Sequence, residues 1–121
     1  MANSKILELG RIVWAEVADP NGNLKLRPGV IVTATNLILD DGPIQIVAVT
    51  SRVPEPLPDS HVLLPWHPQG HARTRLNRKC AAVCDWICSI MADDIRDVAG
   101  VVPGECLLDI VTKIHNSHGT G

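Results

Sequence analysis

Leu26-Arg27-Pro28-Gly29-Val30-Ile31-Val32 is the stretch on which the reading of the fold turns, together with Ile44-Gln45-Ile46-Val47-Ala48-Val49-Thr50-Ser51-Arg52 further along. Both are β-branched runs with a polar, chemically capable group at one end. Pro28 has no N–H to give a ladder, so it predicts a strand start or edge, with the strand running from Val30 to about Thr35. Arg27 then stands just before that strand. The second run is nearly continuous in apolar character, which predicts a strand buried on both faces from Ile44 to Thr50. Thr50 stands where it stops.

Working outward, Arg11-Ile12-Val13-Trp14-Ala15-Glu16-Val17 reads as another strand. Asp19-Pro20-Asn21-Gly22-Asn23 is dense turn chemistry leading into Arg27, and Asp40-Asp41-Gly42-Pro43 is a second turn. Pro54, Pro56 and Pro58 forbid a regular ladder. Val62-Leu63-Leu64 is a short strand, followed by a polar loop from Pro65 to Thr74. Cys80 to Met91 reads two ways. As a helix, Cys80, Val83, Cys84, Ile87, Cys88 and Met91 share one face; as a strand, Cys84, Trp86, Cys88 and Ile90 alternate against Val83, Asp85, Ile87 and Ser89. Pro103 to His115 predicts a helix with Leu107, Ile110, Val111 and Ile114 on its apolar stripe, Glu105 near the start and Lys113 near the end. Four or five short strands closed by one amphipathic helix predict an α+β chain, mainly β: a small, strongly bent antiparallel sheet or partial barrel with the helix packed on it. One domain spans residues 1–121, with flexible tails expected at 1–8 and 116–121.

Composition narrows the functional classes. The chain has three Trp and no Phe or Tyr, so aliphatic residues must fill the core and a multi-ring base-stacking platform is excluded. A net charge of −2 excludes gripping a nucleic acid by bulk charge, so any such contact must be local. One local cluster stands out: Arg73, Arg75, Arg78 and Lys79 lie close together with no acid among them. No secretory leader or membrane span is apparent, so the chain reads as cytoplasmic with reduced thiols.

In their order and spacing, these landmarks resemble the MazF/PemK-type toxins of bacterial toxin–antitoxin systems. The resemblance runs from Gly10 to about Ile114. It is carried by Gly10-Arg11-Ile12-Val13-Trp14, the Asp-Pro-x-Gly loop at Asp19 to Gly22, and Arg27-Pro28-Gly29-Val30-Ile31-Val32. Val47-Ala48-Val49-Thr50-Ser51, Leu76-Asn77-Arg78-Lys79 and Gly100-x-Val102-Pro103 continue it. It implies an SH3-like small barrel of antiparallel strands with a C-terminal helix, and it resolves Cys80 to Ile90 as a strand. It further implies a homodimeric, metal-independent, sequence-specific endoribonuclease (an mRNA interferase) that needs no cofactor. The implied partners are single-stranded mRNA and a cognate antitoxin, with DNA met only through the antitoxin and no membrane. The family's catalytic Arg and Thr fall on Arg27 and Thr50. Some members carry an acid five positions before that Arg, where this chain has Gly22.

Those residue types suit metal-free RNA cleavage, in which the ribose 2′-OH attacks the adjacent phosphorus. The planar guanidinium of Arg27 can bind two phosphate oxygens at once and stay charged. The Thr50 hydroxyl can donate to a non-bridging oxygen. On the residues alone, Arg27 reads as a solvated charge guarding a strand edge and Thr50 as an ordinary β-former; the resemblance makes them catalytic. Ser51, Arg52, Lys25, Arg73, Arg75, Arg78 and Lys79 are the candidates for substrate binding. Trp14 reads as a core residue before a base platform. His67 and His71 offer a rival general base and acid. Cys80, Cys84 and Cys88 form a row read as packing, since a zinc site would need a second pair of ligands and only Cys106 is left. The alternative function is a catalytically inactive binder on the same fold, acting on an antitoxin-like partner or as a gyrase poison. The lack of any Trp after Trp86 argues against the poison.

Overall fold

The computed structural model describes residues 7–19 and 21–119, with side chains followed to residue 116. Its strands are β1 (Arg11–Ala18), β2 (Leu24–Ile31), β3 (Pro43–Thr50), β4 (His61–Leu64), β5 (Cys80–Met91) and β6 (Ile95–Val101), followed by the helix α1 (Gly104–Gly119). They form one six-stranded sheet in the order β4-β5-β3-β2-β1-β6. Every pairing is antiparallel. The sheet bends as a barrel does but does not close through β4 and β6. Instead the loop after β4 reaches the far edge, where Gly100 N–H donates to the Thr74 carbonyl at 3.2 Å and Val101 N–H to the Arg73 carbonyl at 2.9 Å.

Both faces of the sheet are apolar. On the helix side Ile12, Val30, Val47, Val49, Leu64 and Cys84 pack with Ile110 of α1. On the other side Val13, Val17, Ile31, Ile44, Ile46 and Ile90 close on one another as the sheet curls. Strand β3 feeds both cores, as its continuous apolar run predicts. Burying that aliphatic surface, at about 1.5–3 kcal/mol per large side chain, is what holds a chain with so few rings together.

Several sequence expectations need correcting. Strand β2 begins at Leu24 and ends at Ile31, so Arg27 and Pro28 lie inside it. Beyond Ile31 the Val32 N–H still donates to the Gln45 carbonyl at 2.9 Å, and the Thr33 hydroxyl accepts the Gln45 N–H at 2.8 Å. Strand β6 is an element that the pattern missed, because Ile95-Arg96-Asp97-Val98-Ala99-Gly100-Val101 pairs irregularly with β1 and shows no clean alternation. In α1, Val111 is exposed, and Ile110, Leu107, Ile114 and Cys106 make the contact with the sheet. The helix runs past His115 to Gly119, and Leu7, expected in a tail, is buried in the second core. The remainder of the expected tails, residues 1–6 and 120–121, lies outside the described residues, as does Pro20.

The Cys80 to Met91 ambiguity has a physical origin. The segment is a strand, but its register against β3 jumps from Ile87↔Val47 to Ala82↔Val49. Five steps on β5 therefore match two on β3, and the facing side changes. Cys80, Ala82 and Cys84 face the helix-side core, whereas Trp86, Cys88 and Ile90 face the other. The predicted single row of three cysteines is thus split between two faces. A strand that changes face midway mimics helical periodicity.

Candidate active site

Strands β2 and β3 pair only through Gly29↔Ala48, Val30↔Val47 and Ile31↔Ile46. Two residues further, the same register would set Arg27 against Thr50, but the pairing stops at Gly29↔Ala48. There the strands diverge, and a groove of about 420 Å³ opens between them. Its polar lining is Lys25, Arg27, Arg75, Arg78, Ser51 and Asn77; its apolar lining is Trp14, Leu26, Pro28, Val49, Leu76 and Cys80. No carboxylate lines it, although the chain carries 13 acids against 11 bases. Four of those bases meet here, so the local sign opposes the net charge, and none of the four is in an ion pair among the described residues.

Arg27 is half-buried, with its guanidinium 5.1 Å from the centroid of the Trp86 ring. Its Nε is buried and has no hydrogen-bond partner. An unsatisfied buried donor costs about 1–3 kcal/mol, which an arriving anion would recover. The β1–β2 hairpin is closed by Asp19, whose Oδ1 accepts the N–H groups of Asn21 and Asn23, both at 2.9 Å. The Asn23 bond chiefly holds the Asp19 carboxyl below the usual carboxylate range, and the Arg27 charge acts in the same direction.

The far wall is a tightly bonded loop. Thr74, fully buried, donates its hydroxyl to the Pro65 carbonyl at 2.8 Å and accepts the Leu76 N–H at 3.1 Å. His71 Nδ1 accepts the N–H groups of Arg73 at 3.1 Å and Thr74 at 3.3 Å. These bonds hold Arg75 in the left-handed region at φ 64°, a conformation that costs a non-glycine residue about 1–2 kcal/mol. Such outliers cluster at functional sites. His67 also spends Nδ1 inside the loop, on the Gln69 N–H at 3.1 Å. The two histidines considered as an acid–base pair therefore keep only Nε2 for chemistry.

Of the predicted residues, Arg27, Lys25, Ser51, Arg75 and Arg78 line the groove. Thr50 is half-buried and is not among the lining residues; its hydroxyl accepts the Arg52 N–H at 3.1 Å. Arg52 and Arg73 are exposed outside the lining, and Lys79 pairs with Glu55 at 3.8 Å. Trp14, read as a core residue, is half-buried and lines the groove with Asn77. The sequence reading gave Trp86 no role; only a visible register break could have shown that it reaches Arg27. Cys80 and Cys84 are buried, and desolvation pushes both thiols up to about 11. Among the described residues no cluster of His, Cys, Asp and Glu is arranged to hold a metal ion, and no helix is long and apolar enough to cross a membrane.

No protein-family model matches this sequence, and no curated protein matches it. Solved structures do. MazF (Form-I) from Deinococcus radiodurans superposes with a TM-score of 0.75, covering 94% of this chain and 97% of its own at 20% identity. This is the MazF fold. MazE–MazF (Form-II) from the same organism gives a TM-score of 0.72 at 19% identity, covering 96% and 98% of the two chains. An endoribonuclease in complex with its cognate antitoxin, from a mycobacterial species, gives 0.69 at 15% identity, covering 95% and 97%. The MazF fold thus spans nearly the whole chain, including every element that lines the groove.

Proposed function

We propose that this chain is the toxin of a toxin–antitoxin pair and a metal-independent endoribonuclease cutting single-stranded mRNA. The observation that carries the reading is the end of the β2–β3 pairing at Gly29↔Ala48, beside which Arg27 lines a groove with four cations and no carboxylate. The endoribonuclease and MazF structures of the same fold support it. So does the donor set, since a cation-lined groove attracts phosphates and is a poor host for Mg²⁺.

In this reading RNA lies along the groove with its scissile phosphate at Arg27. The ribose 2′-OH attacks phosphorus and loses its proton. The P–O5′ bond breaks, and the leaving 5′-oxygen takes a proton, giving a 2′,3′-cyclic phosphate and a 5′-hydroxyl. Arg27 neutralises the charge that builds on the non-bridging oxygens, and the Thr50 hydroxyl donates to one of them. Lys25, Arg75 and Arg78 hold flanking phosphates, and Ser51 and Asn77 hydrogen-bond the substrate. Arg52, Arg73 and Lys79 lie further out and serve an extended strand. The chain works in the cytoplasm as a homodimer, an antitoxin occupies the groove, and DNA is reached only through that antitoxin.

The test is cleavage of RNA in EDTA by the purified protein, with Arg27→Ala and Thr50→Ala alongside. Arg27→Ala is expected to lose about 100–1,000-fold in kcat while keeping the wild-type melting temperature. An Arg27→Ala protein as active as the wild type refutes the assignment. Retained RNA binding with no cleavage by the wild type supports the inactive binder instead.

A further inference from the structure

Trp86 takes no part in the chemistry just described, yet it is the side chain against which Arg27 rests. The guanidinium centre lies 5.1 Å from the indole centroid, within the range at which a cation is drawn to an aromatic face. Among the described residues the Arg27 head group has no hydrogen bond or ion pair, and its Nε is buried without an acceptor. A half-buried arginine held by a carboxylate would be neutralised and turned away from a phosphate. One held by a ring keeps its full charge and all its donors.

Trp86 reaches this position only through the irregularity in β5. Without the register jump between Ile87↔Val47 and Ala82↔Val49, Trp86 would face the same side as Cys84, toward the helix. With it, Trp86 joins the opposite face, the face to which alternation along β2 assigns Arg27 together with Ile31. Bulges near functional sites commonly re-aim one side chain in this way.

We infer that Trp86 is the positioning residue of Arg27: its indole face holds the guanidinium toward the groove without neutralising it. This inference rests on Arg27 acting as proposed above. Trp86 touches no substrate. Its contribution is to keep Arg27 in the one orientation that meets the transition state, so its loss falls on kcat and leaves KM nearly unchanged.

Two independent readouts test it. In cleavage assays Trp86→Ala is expected to lower kcat about tenfold with KM within about twofold, and Trp86→Phe to restore most of the rate. In an Arg27→Ala background, Trp86→Ala is expected to cost nothing further, because residues that act through one another are not additive. In NMR spectra of the RNA-free protein, the Arg27 Nε–H resonance is expected to carry the ring-current shift of the indole. It should lose that shift in Trp86→Ala and keep part of it in Trp86→Phe. An Arg27 Nε–H resonance unmoved by Trp86→Ala overturns the inference, as does an equal loss of kcat in both backgrounds. If the wild type cuts no RNA, the catalytic reading of Arg27 falls by itself, and the resonance still decides whether Trp86 positions it. Should Trp86→Ala fail to fold, Trp86→Phe and Trp86→Gln carry both arms.

Discussion

Gly100→Ala should unfold this protein at a markedly lower temperature. A Cβ built on Gly100 would collide with the Arg73 carbonyl oxygen and come within 2.7 Å of the Thr74 carbonyl carbon and 2.8 Å of the Arg73 carbonyl carbon. All three are backbone atoms, so no side chain can rotate away. Relief requires β6 and the loop to separate, which breaks the 3.2 Å bond from Gly100 N–H and the 2.9 Å bond from Val101 N–H. Two such bonds are worth about 2 kcal/mol, and forcing an extra methyl into packed backbone costs about 1–3 kcal/mol more. The total of about 3–5 kcal/mol is a large share of the 5–15 kcal/mol that typically holds a domain. It corresponds to a fall of about 12–20 °C in Tm. Thermal unfolding followed by circular dichroism measures it, with Gly104→Ala as the control, since nothing lies within 4 Å of a Cβ there. The same loop carries Arg75 and Arg78, so the variant should also bind RNA more weakly below its melting point. A Gly100→Ala protein that melts within about 3 °C of the wild type, or a control that falls as far, would refute the reasoning.

Two further predictions follow from the groove and the core. With Lys25, Arg27, Arg75 and Arg78 all on phosphates, the affinity for a single-stranded RNA should fall with salt at a log–log slope of about −2.8; Arg75→Gly should flatten it by about 0.7 while stabilising the fold by about 1 kcal/mol, because glycine accepts the left-handed backbone. Titration of binding against salt and a parallel melting curve check both halves. The Cys80 and Cys84 thiols, pushed by burial from 9.0 to about 11, favour the fold while protonated. Stability they contribute should be intact below pH 9 and be lost as pH rises toward 11, and alkylation at pH 8 should reach Cys88 and Cys106 first; pH-dependent melting and mass mapping of the labelled thiols decide it.

What could be read from the sequence, and what could not, divides along a physical line. Ile44 to Thr50 announced itself because a strand buried on both faces needs apolar residues at every position, and none of that depends on its neighbours. Leu107, Ile110 and Ile114 did so because a helix packing on a sheet repeats its contact every third or fourth residue. Strand β6 was hidden, since it is half-exposed and leans on β1 through two register shifts. The face change in β5 was hidden for a related reason: a bulge exists only relative to the partner strand, and the partner does not appear in the local pattern. The groove cations were partly legible. Lys25, Arg27, Arg75 and Arg78 do converge, but which of the Arg73 to Lys79 cluster would do so depended on a left-handed turn at Arg75 and on Glu55 lying within reach of Lys79.

The groove itself traces back to one residue in the stretch that decided the fold. Val32 N–H donates to the Gln45 carbonyl at 2.9 Å, so by the alternation of an antiparallel ladder Val30 and then residue 28 are the next donors that β2 turns toward β3. Residue 28 is proline and has nothing to donate. The bond that would tie β2 to Val49 cannot form, and the paired register ends at Gly29↔Ala48. A residue with an N–H at that position would let the two strands zip on toward Arg27↔Thr50 and close the space between them. Proline instead leaves the first part of β2 an edge within an otherwise interior strand. The polar ends of the two runs then face each other across an opening rather than across a ladder. Pro28 was expected to mark a strand start or an edge; it lies inside β2 and marks where the pairing with β3 stops, which leaves an edge beside Arg27.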